Sequence, residues 1–201
     1  MRIIPAFLVL VFLIPALQAQ QPNPNQKAYS KPFVLGVIDE MHSAELGEKR
    51  ILNIYLPEGY NQNDTIRYPV IYLLDGTADE DFIHVVGLVQ FSNFPWINRV
   101  PKSIVVGIAN TDRTRDFTYP TSIEEDLKAY PSSGHSHIFI AFIEKELQPF
   151  IESKYKTNNT RTIIGQSSGG LLATEILFRK PHLFDKYIII SPGLRWDNGL
   201  C

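Results

Sequence analysis

Residues 162–179 read TIIGQSSGGLLATEILFR, and this stretch decides the fold. Thr162-Ile163-Ile164 is a short β-branched run of the kind that forms a buried strand. Ser168 to Arg179 has the apolar spacing of a helix, and Pro181 stops it. Between them Gly165-Gln166-Ser167-Ser168-Gly169 has the form G-x-S-x-G. A serine so placed sits on a tight, strained strand-to-helix turn, where side chains in place of the glycines would clash with the strand and helix. The turn lifts the Ser167 hydroxyl into the open at the strand's C-terminal end. The helix that follows points its N-terminus at the site, where free N–H groups and the positive dipole end favour a developing oxyanion. The competing readings are a glycine-rich turn without chemistry and a phosphate-binding turn. No P-loop lysine follows, and no G-x-G-x-x-G is present.

Strand-like and helix-like runs alternate around this elbow. Phe33–Ile38 and Lys49–Leu56 (KRILNIYL) read as strands. Tyr68–Leu74 (YPVIYLL), Ser103–Ala109 (SIVVGIA) and Lys186–Ile190 (KYIII) are continuous apolar runs suited to buried strands. Residues 78–88 read as a helix. Phe139, Phe142, Ile143, Leu147, Phe150 and Ile151 recur at helical spacing, with Pro149 expected to bend that helix. Residues 110–134 read as a long polar loop carrying Arg113, Arg115, Tyr119 and Pro120, and loops of this length are often functional. The alternation predicts an α/β layer fold: a mainly parallel central sheet with helices on both faces.

The chain has 201 residues, 19 Lys+Arg against 21 Asp+Glu, 44% apolar and 20% charged residues, so it is an ordinary globular composition without the basic excess of a nucleic-acid partner. Residues 1–19 read as a signal peptide: Met1-Arg2, an apolar run through Ala16, then Ala19 before Gln20. The apolar run is ~14 residues, against the ~20 of a spanning helix, so no stable membrane anchor is expected after cleavage. Residues 20–31 are rich in Pro, Asn and Gln and read as a flexible leader; residues 32–201 form the domain. The single cysteine, Cys201, allows no internal disulfide. No metal-ligand spacing is present, and no cofactor is expected.

An oxyanion hole needs two convergent N–H groups. One is expected from Ser168, the residue after the serine. The second usually comes from the loop after an earlier central strand, and Thr77 of Leu73-Leu74-Asp75-Gly76-Thr77 is the choice here, with a plain turn at Asp75-Gly76 as the alternative. Arg113 and Arg115 either meet an anionic substrate (or, on the family resemblance described next, a catecholate) or are solvated loop charges.

These stretches resemble the putative esterase family of the α/β-hydrolase superfamily, which includes enterobactin-type siderophore esterases, S-formylglutathione hydrolases, feruloyl esterases and mycolyltransferases. The resemblance spans residues 32–199 and is carried by YPVIYLLDG (68–76), FIEKELQPFIESKYKTNNTRTIIGQSSGGLLA (142–173) and PHLFDKYIIISPGLRWDNG (181–199). It implies the α/β-hydrolase fold and a secreted or periplasmic serine hydrolase. That enzyme would act on small-molecule carboxylic esters, siderophore-like ones included, through an acyl-enzyme on Ser167. The family's triad runs serine, acid, histidine, but the residues after Ser167 hold only His182 and the acids Glu175, Asp185 and Asp197. His182 follows a ~12-residue helix that carries it roughly 18 Å from the elbow. His42, His84, His135 and His137 precede the serine and read as structural or solvated; His135 is the least implausible substitute base. Family members continue past the SPGLRWDNG-like stretch with strands carrying the acid and the histidine. The expectation is therefore a domain incomplete at its C-terminus, lacking those strands, with KYIII as an exposed apolar edge. Two alternatives stay open: an inert truncated hydrolase, and an acyltransferase on the same fold.

Overall fold

A computed structural model describes residues 30–199, so the signal peptide, most of the leader and Cys201 lie outside the described residues. The backbone divides after Val34; residues 30–34 have no regular secondary structure. From Leu35 on, six strands form one sheet: β1 (Val37–Ser43), β2 (Glu48–Tyr55), β3 (Tyr68–Leu73), β4 (Ile104–Ile108), β5 (Thr157–Gln166) and β6 (Lys186–Ile190). Their order is β1-β2-β4-β3-β5-β6. β4, β3, β5 and β6 run parallel, while β2 is antiparallel to β4 and β1 to β2. The sheet is thus mixed, with a parallel centre and an antiparallel hairpin at one edge.

The central strands are buried on both faces, as their uninterrupted apolar runs require. On one face, Leu52, Ile54, Val70, Tyr72, Val106 and Ile163 pack with residues of two helical stretches. The first runs from α4 (Ser136–Phe142) through a π-helical turn (Ile143–Leu147) into α5 (Gln148–Lys154); the second is α6 (Ser168–Arg179). Pro149 stands in the first turn of α5. It has no N–H to donate, and the widened π turn just before it absorbs the mismatch without ending the helix. On the other face, Ile71, Leu73, Val105 and Ile164 pack with Phe82, Val86 and Val89 of α1 (Phe82–Ser92). Beside α1, Ile164, Ile188 and Ile190 line an apolar groove of about 580 Å³. β6 ends the sheet among the described residues, with Ile188 and Ile190 nearly half exposed.

Several elements differ from their sequence reading. The first strand is 37–43 rather than 33–38, because its inward positions are polar. Asp39 accepts from the Lys154 ammonium and the Tyr155 hydroxyl, both at 2.7 Å, and the Ser43 hydroxyl donates to Glu146. An apolar alternation cannot reveal such a strand. The first helix begins at Phe82, not at 78, and β5 starts five residues before Thr162. The long loop instead holds two short helices, α2 (Arg113–Phe117) and α3 (Glu124–Ala129).

An ion network fixes α2. Arg50 on β2 is fully buried and donates to Asp116 at 2.7 Å and to Glu48 at 2.7 Å, with Phe139 beneath its guanidinium. Arg115 closes the ring through Glu48 and Asp116, and these bonds hold the Glu48 carboxyl below its usual range. The α4 N-terminus then receives α2's last carbonyls: His135 N–H donates to Arg115, and Ser136 N–H to Thr118. Breaking a buried pair strands a charge. Asp116→Ala should therefore cost about 3 kcal/mol in urea unfolding, and Arg50→Met added to it should recover part of that loss. Equal stability of Asp116→Ala and wild type would show that the network carries nothing.

Candidate active site

Ser167 occupies a left-handed backbone conformation (φ 55°, ψ −117°) that a side chain rarely adopts. Three bonds hold it there. Its N–H donates to the Ile190 carbonyl at 3.0 Å, and its own carbonyl accepts from Leu171 and Gly193, each at 2.9 Å. The end of β6 and the loop after it thus clamp the elbow from one side. Gly165 does what the motif requires, and Gly170, just beyond the motif, is crowded as well. A Cβ on Gly165 would collide with the Gly169 carbonyl, and one on Gly170 would approach Pro192 Cα to 3.0 Å. Ser167 is exposed, and its Oγ has no hydrogen-bond partner among the described residues.

The register of β3 against β5 pairs Leu73 with Ile164. Thr77 and Ser168 each lie four residues beyond, at the same C-terminal edge of neighbouring strands. Ser168 opens α6, so its N–H has no acceptor within the helix. Neither its N–H nor that of Thr77 donates to a described residue. The Thr77 turn is tightly built. Asp75 has φ 54°, and Gly76 N–H donates to Ile108 at 3.0 Å. Asn53 donates to the Gly76 carbonyl at 2.8 Å, and a Cβ on Gly76 would collide with the Gly107 backbone. The Thr77 hydroxyl donates to Glu80 at 3.0 Å.

Asp75 carries the least expected feature. Its buried carboxylate takes two bonds from Arg113, Nε at 2.6 Å and Nη2 at 2.9 Å, and a third from Asn110 at 2.7 Å. Arg113 Nη2 also donates to the Gln166 carbonyl at 3.4 Å, next to the serine. Both arginines of the supposed loop are therefore paired: Arg113 with Asp75, and Arg115 within the network behind α2. The reading of the pair as solvated charges fails because both are ion-paired, Arg113 to Asp75 and Arg115 to Glu48 and Asp116, and all but the last of these partners lie far away in sequence. Only the position of Asp75 directly after a buried strand could have drawn attention to it.

The remaining candidates are dispersed. His182 lies in a short 3₁₀ turn with Nε2 at 3.3 Å from Glu144, and Glu175 pairs with Arg179. Asp185 accepts from the Arg161 N–H at 2.8 Å. His42 is on the edge strand β1, His84 on α1 beside the groove, and His135 and His137 stack on each other at the start of α4. Asp197 follows β6, but its Oδ1 accepts from Ser122 N–H at 2.8 Å, Thr121 Oγ1 at 3.0 Å and Ser122 Oγ at 3.1 Å. It pins the loop after β6 to the segment after α2, where Trp196 Nε1 also donates to the Tyr119 carbonyl at 2.7 Å.

The family described as "Putative esterase" matches residues 43–199. The chain belongs to this family. Ferri-bacillibactin esterase BesA of Bacillus subtilis is 34% identical over 183 residues, which are 84% of this chain and 63% of that protein. An IroE-like serine hydrolase from Shewanella oneidensis has 38% identity and a TM-score of 0.72, covering 79% of this chain and 51% of its own. The BES protein from Bacillus cereus has 29% identity and the same TM-score of 0.72, over 87% and 68%. These likenesses place the six-stranded sheet among the α/β-hydrolase folds of the esterase family. The chain spans 63% of the length of the Bacillus subtilis relative.

Two outcomes follow from the esterase-fold geometry. Gly165→Ala should lose about 3 kcal/mol or more, because its contact is backbone that cannot yield. Unchanged unfolding would mean that the elbow relaxes. The Ser122 N–H, with the Thr121 hydroxyl, holds the Asp197 carboxyl below its usual range. A carboxyl lowered by folding stabilises above its ordinary value of about 3.9 and loses that contribution as the pH falls through the folded value. Wild type should therefore melt above Asp197→Asn at neutral pH, and the gap should close below about pH 4. A gap that persists in acid would assign the difference to packing.

Proposed function

We propose that this chain acts as a serine hydrolase that cleaves carboxylic esters, with Ser167 as its nucleophile. The observation that carries the reading is the strained elbow itself. Ser167 stands exposed at the C-terminal end of β5, with the Ser168 and Thr77 N–H groups unspent at the same edge. Fixed donors aimed at a developing oxyanion are usually the largest single contribution to acyl transfer. Ser167 Oγ adds to the ester carbonyl carbon as its proton passes to a base, the carbonyl oxygen takes the charge against the two N–H groups, and the bond to the ester oxygen breaks as that proton is handed on to it, so that it leaves as the alcohol. Water then cleaves the acyl-enzyme in the same way. The proposed substrates are siderophore-type esters, supported by the name of the Bacillus subtilis relative. The proposed location is outside the cytoplasm, supported by the apolar segment before Ala19.

One observation favours a second reading of the chain by itself. No histidine nitrogen among the described residues bonds to Ser167 Oγ. Without a base a serine hydroxyl is weakly nucleophilic, so the chain alone would be close to inert.

A fluorophosphonate probe and hydrolysis of p-nitrophenyl acetate and of a siderophore ester test both readings. Labelling at Ser167, abolished by Ser167→Ala, with turnover falling about 10³-fold or more, would establish the hydrolase. Labelling no faster than that of free serine would support inertness. Labelling unaffected by Ser167→Ala would remove the serine from the mechanism. N-terminal sequencing of the exported product should begin at Gln20; an intact Met1 in an exported or cytoplasmic form would sink the signal-peptide reading.

A further inference from the structure

We propose that Arg113 is a positioning residue that sets the Thr77 side of the oxyanion hole, by clamping the turn after β3 to the serine elbow. The proposal rests on the esterase reading above. Arg113 touches both halves of the site: it grips Asp75 with two donors, at 2.6 and 2.9 Å, and reaches the Gln166 carbonyl at 3.4 Å. Asp75 begins the turn that presents Thr77. Asp75 Oδ2 also lies 3.2 Å from where a Gly169 Cβ would stand, so its carboxylate rests on the first turn of α6. The network continues through the turn. Asn110 Nδ2 bridges Asp75 at 2.7 Å and Glu80 at 3.1 Å, and Glu80 accepts the Thr77 hydroxyl. Asp75, Thr77 and Glu80 are thereby linked to one guanidinium.

The base from which Arg113 reaches is itself fixed. It is the first residue of α2, whose Arg115 and Asp116 side chains are held in the partly buried ring with Arg50 and Glu48. Its guanidinium lies over the Phe117 ring at 5.5 Å. Charge gives the clamp a second role. Asp75, Glu80 and Asp81 all act on Arg113, and hydrogen bonding to Asp75 holds it above the usual guanidinium value. An oxyanion forming beside these carboxylates would be repelled; a paired Arg113 offsets the nearest of them. A planar two-donor grip is a property of arginine that lysine reproduces only as a charge.

The test compares Arg113→Lys, Arg113→Met and Arg113→Ala in the full chain, with p-nitrophenyl acetate as an uncharged ester. Misplacing one donor by about 1 Å costs on the order of 10²-fold. Arg113→Met should therefore lower kcat about 30- to 100-fold with KM within about twofold. Arg113→Lys should recover part of that loss, and added guanidinium should partly rescue Arg113→Ala. Melting of the variants near wild type separates this from unfolding; should Arg113→Met fail to fold, Asn110→Ala should show the same kcat-only loss in weaker form. A loss confined to KM would make Arg113 a substrate anchor and overturn the proposal, as would unchanged kcat. Amide exchange across residues 75–80 is an arm that needs no turnover: it should quicken at least about tenfold in Arg113→Met. Unchanged exchange overturns the clamp even if wild type proves inactive, whereas inactivity with quickened exchange refutes the esterase reading alone.

Discussion

The hydrogen bond from Ser167 N–H to the Ile190 carbonyl holds the serine in a backbone conformation it would not choose. A side chain with positive φ costs on the order of 1–3 kcal/mol, and it persists only where the surroundings over-determine it. Here they do. β6 supplies the Ile190 acceptor, Gly193 returns a bond to the Ser167 carbonyl, and Leu171 begins the helix on that same carbonyl. The strain is thus distributed over β5, β6 and α6. β6, outermost of the sheet among the described residues, thus contributes directly to the elbow. Asp197 and Trp196 in turn tie the loop beyond β6 to residues 119–122, so the clamp is itself anchored to the α2 region.

That anchoring links two regions that look independent along the chain. The hairpin of β1 and β2 reaches the edge where Ser167 stands through the bond from Asn53 to the Gly76 carbonyl. It also delivers Arg50 and Glu48, whose pairing with Asp116 and Arg115 fixes α2. Burying charged groups is expensive unless each is paired; in this ring Arg50 and Asp116 are buried and pair with each other, while Arg115 and Glu48 flank them half-buried. A buried ionic ring stabilises less than apolar packing of equal volume, but it tolerates few alternative geometries. A helix of five residues has little stability of its own. The ring and the α4 N-terminus supply its position.

The readable parts of the sequence were those governed by local rules. The elbow was legible because steric exclusion at Gly165 leaves few residues that fit, and the central strands because burial on both faces demands unbroken apolar runs such as YPVIYLL and SIVVGIA. β1 was displaced by four residues because its inward positions are Asp39 and Ser43, satisfied by partners more than a hundred residues away. The α2 and α3 helices were hidden in a polar stretch because tertiary ion pairs, not amphipathic periodicity, position the first of them. The pairing of Arg113 with Asp75 was illegible for the same reason: a separation of 38 residues leaves no trace in spacing.

The geometry divides the chemistry of ester cleavage into two parts with different structural needs. Stabilising an oxyanion requires fixed dipoles, and on the esterase reading the elbow, the α6 N-terminus and the clamped Thr77 turn supply these from β3, β5 and the first turn of α6. Moving the serine's proton requires a base with one hydrogen bond to Oγ and another holding it in place. The first part depends on backbone geometry, so it is built into the parallel centre of the sheet and locked by steric fit. The second depends on a side chain at the end of a segment that need only arrive at the right place. In serine hydrolases the oxyanion hole and binding alone retain a residual 10³–10⁴-fold advantage over water when the triad is broken. By that measure the electrostatic part is worth roughly 4–5 kcal/mol of barrier by itself. On the esterase reading the strain stored at Ser167 serves that part: it would fix the hydroxyl and the Ser168 N–H in one frame, so that an approaching base would meet a nucleophile already aligned with the hole.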